Sequence, residues 1–353
     1  MKINGIIPNG LSKAVISMTK RIEYVDLAKG ICIMLVVLLH VFGDMSGTVI
    51  KIMNLFRMPL YFVLSGLFFK QYEGFYSFFK KKTNKLLIPF LFTFILIVLP
   101  SSLFLSWKMH TPIVWHDWIF DINGKLNLGI DGTIWFLLCL FFMNIYFYLI
   151  FLLCRQNTIC IVILSCLCGL AGYMLNSYNQ YLFVWMDSAL TALPFFMFGY
   201  MMRKYSTVLS EQFSRKDAML FVVSTCVLLA VYCYNEYIGK SVIGFARNEY
   251  NIPLISLYIG GIAGTMCVLL LSKFWRYLPV VSYVGRYSIV VLLTHLLYLF
   301  VIRNVLYQLS VNQDESVEVN LLVFVVIIFL SLPTIKFCIT YLPCWFAQKD
   351  LWK

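Results

Sequence analysis

The sequence predicts an all-α fold: a polytopic transmembrane helical bundle of about ten spans with both termini cytoplasmic. Three observations carry this expectation. The 353-residue chain is 61% hydrophobic and only 12% charged, with a mean hydropathy of +0.84, whereas soluble domains carry about 25% charged residues. Apolar runs recur along the whole chain with no soluble-like block between them. Lysine and arginine are also distributed unevenly between alternate loops.

A helix needs roughly 20 apolar residues to cross the hydrocarbon layer. On that length the spans fall at about 28–50, 54–70, 86–106, 133–153, 158–175, 181–202, 217–238, 252–272, 280–302 and 319–342. The fifth and sixth are separated only by the short polar stretch Asn176-Ser-Tyr-Asn-Gln180, which suffices to turn the chain. The first 21 residues are polar and basic but are not followed by a small-residue cleavage site, so no removable signal peptide is expected. The chain therefore divides into a cytoplasmic segment 1–26, a membrane domain 27–345 and a cytoplasmic tail 346–353.

With the N-terminus inside, 20 of the 28 basic residues lie in cytoplasmic loops and six in the opposite loops. Arg57 and Lys336 fall within spans. This is the bias that orients helices in membranes. It also accounts for the net charge of +12 as topology and attraction to anionic lipid, with no nucleic-acid partner required. Most of the 11 cysteines lie within spans, where thiols pack as small apolar groups. No cysteine or histidine spacing resembles a metal site.

Two of the four histidines, His40 and His295, sit inside apolar runs. An ionisable group at bilayer depth persists where it faces a cavity or a partner, and so marks a functional site. His40 is eleven residues beyond Lys29, about 16 Å along a helix and about 20° around it. Asp26 shares that face and is placed to pair with Lys29. One stripe thus runs from the cytoplasmic rim to an imidazole expected near mid-bilayer. His295, nine residues past Arg286, reaches a similar depth and is positioned to face the same cavity. The plainer alternative for either ring is a hydrogen bond to a neighbouring helix.

The second span carries Arg57-Met58-Pro59 and Ser65-Gly66. Arg57 is expected near the outer surface, where a long stem lets its charge reach water. Pro59 frees a backbone carbonyl and Gly66 permits close helix approach. The cluster Lys80-Lys81-Lys82 with Lys85, before Pro89, sits at the inner surface, as a topology determinant or as a site for the phosphates of an anionic cytosolic ligand.

At these residues the chain resembles the acyltransferase-3 family of integral membrane acyltransferases, in particular its short branch described as fucose 4-O-acetylase-like. The resemblance rests on Lys29 and His40 with Asp26 and Gly30; on Met58, Pro59, Phe62, Ser65 and Gly66; and on Lys82 and Lys85 before Pro89. It continues through Trp135-Phe136-Leu137, Pro194-Phe-Phe-Met-Phe-Gly199, and Gly285-Arg-Tyr-Ser288 leading to His295. The resemblance implies transfer of an acyl group, usually acetyl, from cytosolic acyl-CoA to a hydroxyl of a surface glycan or its lipid-linked precursor. Acyl-CoA would be a co-substrate, with no tightly bound cofactor, and the location would be the cell (inner) membrane.

On this reading His40 is the general base and Lys29, held by Asp26, lines the donor path. Lys82 and Lys85 engage the phosphates of coenzyme A, and Arg57, Ser65 or His295 orients the acceptor. The family often has arginines where Lys82 and Lys85 stand, and its short branch commonly has histidine where this chain has Arg57, which bears on acceptor recognition more than on the reaction. A covalent acyl-histidine relay and direct attack are equally compatible with the sequence. The competing class is a proton-coupled secondary transporter or flippase using His40, His295 and Arg57. Such proteins commonly show repeated halves, and no repeat relates spans 1–5 to spans 6–10.

Overall fold

A backbone in lipid must satisfy its own hydrogen bonds, and this chain does so almost entirely with helices. The computed structural model describes residues 22–43, 47–108, 128, 132–178, 180–205, 212–309 and 316–352. Most of the expected segment 1–26, and the loop carrying Lys125, lie outside them. The helices are α1 (Glu23–Phe42), α2 (Thr48–Leu67), a long α3 over 74–108, α4 (Trp135–Leu153), α5 (Thr158–Ser177), α6 (Met186–Tyr205), α7 (Arg215–Tyr237), α8 (Leu254–Trp275), the short α9 (Pro279–Arg286), α10 (Ser288–Gln308) and α11 (Val317–Tyr341). Among the described residues, eight helices are long and apolar enough to cross a membrane. The stretch 74–108 and Met186–Tyr205 are two further long helical segments among the described residues, where the sequence placed spans at 86–106 and 181–202.

The first two spans begin earlier in the chain than expected. Gly43, at φ 60°, ends α1 after Phe42, the usual glycine stop, so the expected span 28–50 is in fact Glu23–Phe42. Helix α2 then starts at Thr48 rather than at 54. His40 accordingly lies in the last turn of α1, not halfway along a span.

Helix α3 contains two π-helical turns, Thr83–Leu87 and Phe94–Val98. Pro89, which lacks an N–H, follows directly on the first of them. Such wide turns are rare and are often found at functional sites. Between α7 and α8 a two-residue hairpin pairs β1 (Ile243–Gly244) with β2 (Glu249–Tyr250).

Helices α1, α2, α4, α6 and α8 are the most buried, while α5 and α7 are peripheral. In lipid no hydrophobic drive pulls helices together, so close packing of small residues does much of the work. Two crossings here bring backbone onto backbone. A methyl group on Gly66 of α2 would overlap the Phe196 carbonyl of α6, and one on Gly199 would overlap the Val63 carbonyl. Likewise Gly30 of α1 lies against the Val281 carbonyl of α9, and Gly285 of α9 against the Asp26 carbonyl and the Gly30 amide. The expected role of Gly66 in close helix approach is borne out. Pro59 has a packing role as well, since its ring lies against Gly261 of α8.

The C-terminal residues fold back onto α3. Trp345 stacks on Phe92 at 4.9 Å. The Asn84 side chain donates to the Trp352 carbonyl at 2.8 Å and accepts from the Trp352 amide at 2.7 Å. Asp350 pairs with Lys81 at 2.7 Å. This places the tail at the same end of the bundle as the lysine cluster.

A candidate active site beneath the hairpin

Helices α1 and α10 run in the same direction and are registered where α9 crosses α1. His40 is ten residues beyond Gly30, and His295 is ten residues beyond Gly285. Gly30 and Gly285 touch where α9 packs on α1, the chain turns at Tyr287, and α10, which starts at Ser288, carries His295 to the level of His40. Their centroids lie 5.4 Å apart at a tilt of 47°. His295 is fully buried, and His40 is half-buried, opening onto a cavity.

That cavity measures about 140 Å³ and is partly open. One wall is α1, with Val36 and His40. A second is a single face of α2, where Asn54, Arg57, Met58 and Tyr61 recur at helical spacing. The start of α4 adds Thr133, Trp135 and Phe136, the hairpin Ile243 to Ala246 covers one side, and Leu292 of α10 completes the lining. Thr133 donates to the Leu292 carbonyl at 3.1 Å, tying α4 to α10.

Arg57 is therefore not the outer-surface residue expected from the sequence. The hairpin and α4 cover its end of α2, so its guanidinium lines the cavity with His40. Cys32 of α1 donates to the Arg57 carbonyl at 2.9 Å and fixes this register.

Arg57 Nε, Asn54 Oδ1 and His295 Nε2 are each buried with no hydrogen-bond partner among the described residues. Leaving such an atom unsatisfied costs about 1–3 kcal/mol. Three of them in and beside one partly open cavity mark a place built to receive polar groups.

The hairpin is firmly held. Trp185 donates its indole N–H to the Ala246 carbonyl at 2.7 Å. Thr191 donates to Asn248 Oδ1 at 2.8 Å, and Asn248 Nδ2 donates to the Gly172 carbonyl at 2.9 Å. Phe245 packs edge-on against Phe62 at 5.4 Å. Val184 and Trp185 adopt φ of 52° and 63°. A β-branched residue in that region is a genuine outlier, held only by its surroundings.

The remaining candidate residues lie toward the end of the bundle that the sequence assigns to the cytoplasm. Tyr61, at the inner end of the lining, donates to the Lys29 carbonyl at 3.4 Å. The Lys29 ammonium sits over the Phe68 ring at 4.9 Å. Asp26 is half-buried one turn earlier on α1. Ser65 lies on α2 between Tyr61 and Phe68, off the cavity lining. Of the stripe expected from Asp26 through Lys29 to His40, only His40 lines the cavity, and Lys29 meets the lining residue Tyr61 through its backbone carbonyl.

Lys82 and Lys85 stand at the first π turn of α3. Lys82 is half-buried beside the Phe78 ring at 5.8 Å, and burial pushes its ammonium down to about 8. Lys85 donates to the Ala347 carbonyl and lies 3.7 Å from Asp350. Burial lowers its pKa, opposed by the Asp350 charge. The hydrogen bond from Lys81 holds the Asp350 carboxyl below its usual range.

The expectation from the sequence missed Asn54, Tyr61 and the hairpin. Asn54, Arg57 and Tyr61 at i, i+3 and i+7 form one polar face, a signal readable from spacing alone. The hairpin left none, because its two-residue strands are too short to show alternation.

A cavity within the helical bundle, lined by an imidazole, a guanidinium and unsatisfied polar atoms, is the candidate active site of a multi-pass membrane protein. The acyltransferase domain profile of the acyltransferase-3 family matches residues 22–337, nearly the whole chain. The chain belongs to that family, so the protein is a membrane acyltransferase. No curated protein and no solved structure shows significant similarity to it.

Proposed function

We propose that this protein transfers an acyl group, acetyl in the first instance, from cytosolic acyl-CoA to a hydroxyl of a glycan or its lipid-linked precursor in the cell membrane. The observation that supports this most directly is the shared cavity of His40, Arg57 and Asn54 in a chain of this family. Acyl transfer needs a base for the hydroxyl proton and charge stabilisation for the oxyanion that develops. His40 takes the proton from the acceptor hydroxyl, whose oxygen then forms the C–O bond as the C–S bond of the thioester breaks. The thiolate leaves and recovers the proton. Arg57 is the cation nearest the developing negative charge, and Asn54 and the aromatic walls of Tyr61, Trp135 and Phe136 hold the acceptor.

On the donor side, Lys82 and Lys85 take the coenzyme A phosphates, and Lys29, with Asp26, lies on the route inward toward Tyr61. Ser65 borders that route. A phosphate at Lys85 has to displace Asp350, so Lys82 is the cation more freely offered. Asp350 therefore competes with the donor for the same charge.

The test is labelled acetyl-CoA added to membranes containing the protein, with and without glycan precursor. Label entering lipid-linked or surface glycan supports the reading. Glycan that crosses the membrane unlabelled would instead make the protein a transporter or flippase.

The lysine cluster adds a pH signature. A base whose pKa is held near 8 in the folded protein is charged below that pH and neutral above it. Attraction to phosphate is therefore present below pH 8 and begins to fade as pH rises through it. The KM for acyl-CoA is expected to climb over that window, and Lys82→Arg is expected to flatten the climb, because a guanidinium stays charged. An unchanged KM profile in Lys82→Arg would remove Lys82 from phosphate binding.

A further inference from the structure

We infer that His295 is a positioning residue that acts through His40: its Nε2 accepts the N–H of His40 and so fixes which nitrogen of His40 faces the acceptor. The inference rests on the reading of His40 as the base. The sequence offered His295 as an acceptor-binding or structural residue, and the geometry sets it apart from the first of these roles. The ring is fully buried and does not line the cavity, so an acceptor sugar does not reach it.

The tautomer follows from the hydrogen bond. His295 Nδ1 lies 2.8 Å from the Val291 carbonyl, one turn back on α10. A carbonyl oxygen only accepts, so Nδ1 carries the hydrogen and, in the neutral ring, Nε2 is a bare lone pair. That Nε2 is buried and has no partner among the described residues. The nearest described ring is His40, 5.4 Å away between centroids and tilted by 47°. A modest rotation of the half-buried His40 ring brings its facing N–H onto the lone pair.

Once that bond forms, the second nitrogen of His40 is left without hydrogen and turned to the cavity, the state a general base requires. His295 would hold the base in its reactive tautomer, as a buried hydrogen-bond acceptor does behind other catalytic histidines. When His40 takes the hydroxyl proton, the new N–H lies on the cavity side, from which it passes to the leaving thiolate. His295 gains and loses no proton in the cycle.

The experiment compares His295→Leu and His295→Gln with the wild type in membranes, at matched protein level, with labelled acetyl-CoA. Leucine keeps the bulk and removes the acceptor, while glutamine places an amide oxygen near the position of Nε2. His295→Leu is expected to lower kcat by about 10- to 100-fold, the range for residues that orient a ligating or catalytic group, with the acyl-CoA KM unmoved. His295→Gln is expected to restore most of the loss. In the double variant His40→Ala/His295→Leu, no further loss beyond His40→Ala is expected.

Equal impairment of Leu and Gln variants, with reduced thermal stability in detergent, would assign His295 a structural role and overturn the inference. Wild-type kcat in His295→Leu overturns it too. Full activity of His40→Ala would sink the reading of the base itself, and that outcome is distinct from either of these.

Discussion

His40→Ala is expected to lower acetyl transfer by about 10²- to 10⁴-fold, the contribution of a positioned general base, while the acyl-CoA KM and the protein level stay near normal. The physical ground is the placement of the ring. His40 occupies the last turn of α1, half-buried, with one side on the cavity and the other on His295. Alanine leaves the helix intact, because α1 is anchored well below this point by Gly30 against α9. It also leaves untouched the lysines proposed to bind the donor, since Lys82 and Lys85 lie outside the cavity lining. A loss confined to kcat therefore reports on the proton transfer. The measurement is labelled acetyl incorporated per unit of protein in membranes, at several acyl-CoA concentrations. Near-normal turnover at normal protein level would remove His40 from the chemistry and leave Arg57 and Asn54 as a binding pocket only.

The class of fold was legible because it rests on sums over many residues. Hydropathy fixes the all-α class and the approximate place of the long apolar helices without any knowledge of neighbours, and the lysine–arginine bias sets their expected direction. The His40–His295 convergence was also within reach, since each histidine can be placed along its own helix by counting from an inner-face residue. The neighbours of those helices could not be counted in the same way. Arg57 looks like an outer-surface cation in its own span, and only the α4 start and the hairpin, both distant in sequence, turn it into a cavity residue. The Asp350 carboxylate is likewise invisible as a rival for Lys81 and Lys85 until the tail is seen folded back. The loop residues that hold the hairpin, Trp185 and Asn248, carry no periodicity, and their role exists only through partners supplied by α5, α6 and the hairpin itself. The glycines stand in between: small residues suggest close crossings, but which glycine meets which is a tertiary fact.

Gly285→Ala is expected to destabilise the bundle by about 3 kcal/mol or more, because added volume in a crossing with no slack forces the backbones apart. The methyl group would overlap the Asp26 carbonyl and the Gly30 amide, which are fixed helix atoms and cannot rotate away as a side chain would. Relief has to come from moving α9 off α1, and α10 follows directly after Tyr287. His295 would then leave the level of His40, so residual folded protein should show reduced kcat as well as a lower melting temperature. Gly47→Ala is the matched control: no atom lies within 4 Å of its added methyl, and as the residue before α2 it should cost at most about 1 kcal/mol, the scale of a lost cap. A double-mutant cycle separates a true crossing from two local effects. Gly30→Ala forces the same pair of helices apart through the Val281 carbonyl. Once one methyl has opened the gap, the second finds room, and the double variant should be less destabilised than the two singles combined. Simple additivity, measured by thermal unfolding in detergent, would mean that the two glycines act independently and that α9 does not register the two histidines.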